Sequence, residues 1–190
     1  MRLNRIILSR MKSASKIILP FILVLFLGTV SCQKAPRTAQ TLRLATSTEN
    51  KVTVTIALSH AENGQVILSA TFTPQTPSLH LYSKEIPRNG IDGLGRPTLL
   101  EIVKGSILKA NGELTESVAS QLPPFDPKEL LVYPAGPVTL SQPVSLPEGN
   151  NWTNDVILVT YMACDEQGCR APVQQKPIII KIPGNQLFQS

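Results

Sequence analysis

Residues 51–72 read KVTVTIALSHAENGQVILSATF, and this stretch decides the fold. Val52, Val54 and Ile56 alternate with polar neighbours, the period of a strand with one buried face. A second β-branched run, residues 65–72, follows Glu62-Asn63-Gly64. Asn-Gly supplies the positive φ that tight hairpin turns require, so the pair predicts a β-hairpin. Working outward, six more short runs carry the same signal: residues 78–83 (SLHLYS), 98–104 (TLLEIVK), 130–133, 138–146, 155–163 (DVILVTYMA) and 176–182 (KPIIIKI). Eight strands in this length, broken by the 15 prolines that follow residue 31, predict an all-β fold, a two-sheet β-sandwich. Helix is expected only as short turns near residues 114–120 and 127–130.

The region before the hairpin has a different character. The 190 residues hold 18 Lys and Arg against 13 Asp and Glu. Arg2, Arg5, Arg10, Lys12 and Lys16 all precede the apolar run 17–30 (IILPFILVLFLGTV), and no acid lies within residues 1–31. Setting those five aside leaves 13 basic and 13 acidic side chains, a neutral body. Such a body lacks the electrostatic footprint of a nucleic-acid binder, and that class is excluded. Positive charge, a 14-residue apolar run and a small-residue boundary form a secretory signal. The run is shorter than the ~20 residues of a permanent membrane span. Thr29-Val30-Ser31-Cys32 resembles a bacterial lipobox, which makes Cys32 the expected lipidation site and first mature residue. Residues 1–31 are therefore expected to be a lipoprotein-type signal peptide, and 32–50 a lipidated cysteine with a flexible polar tether. The predicted β domain covers 51–183, and 184–190 form a tail. The expected location is the periplasmic or extracytoplasmic face of a bacterial envelope, held to the membrane by lipid.

Two cysteines remain, Cys164 and Cys169, in Tyr161-Met-Ala-Cys-Asp-Glu-Gln-Gly-Cys-Arg-Ala-Pro172. Export places them where disulfides persist. A ring this short stabilises by roughly 2 kcal/mol, less than a bond closing a long loop, so a staple is a poor use of the pair. Short exposed disulfides are also the ones ready for attack by a partner thiolate. The residues leave three roles open: redox exchange, a structural staple in a non-catalytic binding module, and metal (copper) handling. His60 and His80 lie far off in strand-like runs and read as sheet residues, so no metal ligands are assigned. Asp165 and Glu166 disfavour a thiolate, whereas Arg170 favours one on Cys169.

The segments Leu79-His80-Leu81-Tyr82-Ser83-Lys84, residues 90–97 (GIDGLGRP), Phe125-Asp126-Pro127 with Val132-Tyr133, and Val159-Thr160-Tyr161-Met162-Ala163-Cys164 followed by Cys169 carry a resemblance. Over residues 51–183 the chain resembles the N-terminal periplasmic domain of the thiol:disulfide interchange protein DsbD. The resemblance implies an immunoglobulin-like sandwich that needs no cofactor and exchanges thiols and disulfides. It implies that Cys169 forms the mixed disulfide and Cys164 resolves it. Tyr82, Phe125 on a covering loop, and Tyr161 would line or cap the pair. The implied partners are a DsbD- or CcdA-like membrane electron transporter and periplasmic thioredoxin-like proteins. Four residues separate the cysteines where the best-known member has five, and Cys169-Arg170-Ala171-Pro172 stands where that family has Cys-x-Pro-Pro.

Overall fold

The computed structural model describes residues 41–188. The signal segment 1–31, the Cys32 lipidation site and the tether as far as residue 40 lie outside the described residues. Among those described, no helix is long and apolar enough to cross a membrane.

The chain is all-β, as its patterning predicts. Its strands are β1 (Leu42–Glu49), β2 (Val52–His60), β3 (Val66–Pro74), β4 (His80–Leu81), β5 (Leu99–Ile102), β6 (Lys109–Ala110), β7 (Thr115–Glu116), β8 (Val138–Ser145), β9 (Trp152–Tyr161), β10 (Ala163–Asp165), β11 (Gly168–Cys169) and β12 (Val173–Pro183), followed by the one-turn helix α1 (Asn185–Phe188). One sheet runs β1-β2-β3-β8-β6, with β7 also on β8; a second runs β12-β9-β5. All their ladders are antiparallel.

Alternation builds the core. Opposite residues of an antiparallel pair share a face, so the register Val54↔Phe72, Ile56↔Ala70 and Leu58↔Leu68 lines up one apolar surface. Ala70↔Leu140 and Phe72↔Val138 extend it onto β8. Ile157, Val159 and Tyr161 of β9 and Ile178, Ile180 and Ile182 of β12 join these residues in a single buried cluster. Two sheets thus close over one core, the sandwich arrangement. Asp155 enters this interior with its charge bonded: Oδ2 accepts from the Ser106 hydroxyl (2.5 Å) and the Leu108 amide (3.0 Å).

Several boundaries differ from the sequence reading. The tether expected over 32–50 is corrected in its latter part, because Leu42–Glu49 forms β1 and pairs with β2. The hairpin between them turns on Asn50 and Lys51, both at positive φ (49° and 62°), the two-residue geometry that follows strand twist. The predicted hairpin between β2 and β3 exists, but as a longer loop in which Gly64 takes positive φ (81°). No helical turn occupies 114–120: Thr115–Glu116 is β7, and Glu116 accepts a hydrogen bond from the Tyr133 hydroxyl (2.5 Å). Residues 127–130 do form a turn, closed by Leu130 N–H to the Pro127 carbonyl (3.1 Å). The expected C-terminal tail is also corrected, since Phe188 is buried and its ring stacks on His60 at 4.4 Å.

β1 is tied down by the Glu49–Lys176 ion pair and by Tyr161, whose hydroxyl donates to the Glu49 carbonyl (3.1 Å). Burial, helped by the Glu49 charge, pushes the Tyr161 phenol from 10 up to about 12. With the folded value raised, the unfolded chain ionises first as pH rises, so the contribution of Tyr161 to stability is fully present below pH 10 and is lost as pH rises toward about 12. Tyr161→Phe should cost about 1 kcal/mol at neutral pH and make the alkaline decline shallower. Denaturant titrations at pH 7 and above pH 10 check this, and an unchanged decline would refute it.

Candidate functional site

The extended chain does not stop at Tyr161, where β9 ends. It continues through Met162 into β10, which forms a third small sheet in the order β11-β10-β4. The Asp165 carboxylate accepts the Gln167 amide at 3.0 Å, and Gly168 takes positive φ (123°), so the chain reverses at once into β11. This reversal sets Cys164 directly opposite Cys169. The Arg170 amide bonds the Ala163 carbonyl (2.8 Å) one step along the ladder. The cysteines therefore occupy the close, non-hydrogen-bonded kind of cross-strand position, with Cα atoms 4.0 Å apart and the sulfurs joined in a disulfide.

The two sulfurs have unequal surroundings. Cys164 is 3% exposed, whereas Cys169 lies on the surface. What covers Cys164 is a small apolar cluster apart from the main core, made of Tyr82, Ile86, Leu130 and Val132, with Phe125 and Met162 packed against it. The Tyr82 hydroxyl is 3.2 Å from Cys164 Sγ and 3.9 Å from Cys169 Sγ. The Tyr82 carbonyl accepts from the Thr98 hydroxyl (2.7 Å), which fixes the ring's backbone. Gly95 lies so close beneath the ring that a Cβ there would come within 3.3 Å of it and 2.9 Å of Leu130.

Of the residues singled out from the sequence, Cys164, Cys169 and Tyr82 are brought together. Phe125 reaches the site through the covering cluster and through His80, its ring 5.5 Å from that imidazole. Tyr161 does not line the pair. Its ring packs edge-on against Phe72 in the main core (5.7 Å) and its hydroxyl turns to Glu49, because residues 161 and 164 fall on either side of the step between β9 and β10.

The residue that sequence reasoning passed over is His80. It is indeed a sheet residue, but β4 pairs with β10 so that His80 stands opposite Cys164. Its ring meets Tyr82 edge-on at 5.5 Å. Burial lowers the imidazole below its ordinary value, against the opposing pull of Asp165, so it is neutral at pH 7. The available signal was the period of two that puts His80 on the face of Tyr82. The local charge argument also changes: Arg170 is bound to Asp165 (2.8 Å), so its guanidinium is largely compensated. The difference between the sulfurs is one of access. Among the described residues no group of three or more His, Cys, Asp or Glu is placed to hold a metal ion.

Chemically, the arrangement is one disulfide with a reachable sulfur and a shielded one, compatible with exchange or with a staple. Comparison with protein-family models, with curated proteins and with solved structures returned no match.

Proposed function

We propose that this chain is an envelope lipoprotein, anchored through Cys32, that exchanges thiols and disulfides with periplasmic oxidoreductases through Cys164 and Cys169. The observation that carries this reading is the inequality of the two sulfurs, Cys169 exposed and Cys164 3% exposed beneath Tyr82. A staple has no use for such a difference; an exchange reaction needs one sulfur for the partner and one held back. In the reduced protein the Cys169 thiolate attacks a partner disulfide and forms a mixed disulfide. Cys164 then displaces the partner, which leaves reduced, while the pair returns to the bonded state seen here. The resemblance to the N-terminal domain of DsbD supports the same assignment. It names a DsbD- or CcdA-like membrane protein as the electron donor and oxidised thioredoxin-like proteins as acceptors.

The deciding measurement is the equilibrium reduction potential of the pair against a glutathione or dithiothreitol series. Exchange predicts a value between about −120 and −270 mV, the span of working oxidoreductases, and a value below about −300 mV would place the bond among structural disulfides.

A further inference from the structure

The second half of the exchange requires Cys164 as a thiolate, yet this sulfur is buried. Its surroundings of Tyr82, Ile86, Leu130 and Val132 are apolar, which disfavours a negative charge there. Tyr82 cannot remove the proton: burial raises its phenol above the ordinary value, so it stays protonated and acts as a donor to Cys164 Sγ. An acceptor must come from elsewhere in the row of side chains that crosses β4, β10 and β11.

His80 occupies that row. It is the register partner of Cys164 across the β4–β10 ladder, as Cys169 is across the β10–β11 ladder. Opposite residues present their Cβ atoms about 5 Å apart on one face. Among the described residues its Nε2 is buried and has no hydrogen-bond partner. Leaving such an atom buried and unpaired costs free energy, and a role in another state of the protein accounts for its being kept. The charged groups around it are few. Asp165 on β10 is held by Arg170, while Asp126 and Lys128, on the segment that carries Phe125, pair with each other at the surface (3.6 Å).

We propose that His80 is the proton acceptor for Cys164 in the resolving step, an inference that rests on the exchange reading above. In the mixed disulfide, the Cys164 thiol passes its proton to the neutral imidazole. The resulting thiolate attacks Cys169 Sγ; the Cys164–Cys169 bond forms, the bond from Cys169 to the partner sulfur breaks, and the electron pair leaves on the partner thiolate. That thiolate takes up a proton from water, and the imidazolium releases its own. Tyr82 donates to Cys164 Sγ while it carries the charge.

The test uses the reduced full chain with Cys32→Ser, so that the pair supplies the only thiols, and 5,5′-dithiobis(2-nitrobenzoate) as oxidant. Attack by Cys169 releases one thionitrobenzoate and resolution by Cys164 a second, and stopped-flow absorbance separates them. His80→Phe keeps a ring against Phe125, and His80→Gln keeps a polar side chain without a base. Both should slow the second release about 100-fold at pH 7, the scale of a lost proton acceptor, and leave the first unchanged. The wild-type second phase should rise with pH to a plateau through an inflection below pH 6.5. In the variants it should keep climbing past about pH 8.5, the ordinary thiol value, because burial holds the Cys164 thiol above it. Equal slowing of both phases, the mark of a merely structural role, would overturn the proposal, as would a second phase with unchanged rate and pH profile. The small oxidant reports on His80 whatever the reduction potential of the pair, so this inference and the exchange reading fail on different measurements.

Discussion

Cys164→Ala should accumulate a stable mixed disulfide through Cys169 when the reduced variant meets an oxidised thioredoxin-like protein, and Cys169→Ala should accumulate none. Thiol–disulfide exchange needs the attacking sulfur to approach along the axis of the target bond. Cys169, on the exposed strand β11, can present its sulfur to a partner; Cys164, 3% exposed beneath Tyr82, can present its sulfur only to Cys169. In a Cys32→Ser background, removing Cys164 therefore leaves the first attack intact and deletes the one remaining thiol of the chain that could undo its product. The wild type should resolve the same complex within the mixing time. Non-reducing electrophoresis and mass spectrometry of the quenched mixture read the result directly. Trapping by Cys169→Ala at a comparable yield would reverse the assigned roles.

The main sandwich was legible because its strands state their own faces. Val52, Val54 and Ile56 alternate, and the buried residues of β3, β8, β9 and β12 keep the same period. β1 was not legible for two physical reasons. A register shift between Arg43 and Ala45 breaks its alternation, and its turn puts Lys51, without the usual Asn-Gly or Asp-Gly signal, at positive φ. The site divides along similar lines. The polar run between the cysteines announces a reversal of the chain, which the β10–β11 hairpin makes. That His80 should stand beside Cys164 depends on which strands pair across 84 positions of sequence, information that no local pattern carries. Resemblance points to Tyr82, while His80, two residues away, reads from its run only as a sheet residue, although strand geometry puts both on one face.

An exchange-active pair must open and close without unfolding the domain that carries it, so the stability held by the disulfide should be small beside that held by the core. Closing a ring of six residues accounts for about 2 kcal/mol. Phe72 is fully buried, faces Val54 and Val138 across its two ladders, and packs edge-on against Tyr161 of the opposing sheet. Phe72→Ala removes its contacts to both sheets and leaves a cavity between them, for about 3–5 kcal/mol. Reduction of the wild type should therefore lower the unfolding free energy by less than Phe72→Ala does, and the reduced domain should remain folded. Because Phe72 belongs to the main core and Tyr82 to the separate cluster over Cys164, folded Phe72→Ala protein should keep the wild-type reduction potential. Urea titrations of oxidised, reduced and Phe72→Ala protein, each followed by tryptophan fluorescence and circular dichroism, give the three numbers. Unfolding on reduction alone would make the bond a structural requirement and remove the basis for exchange.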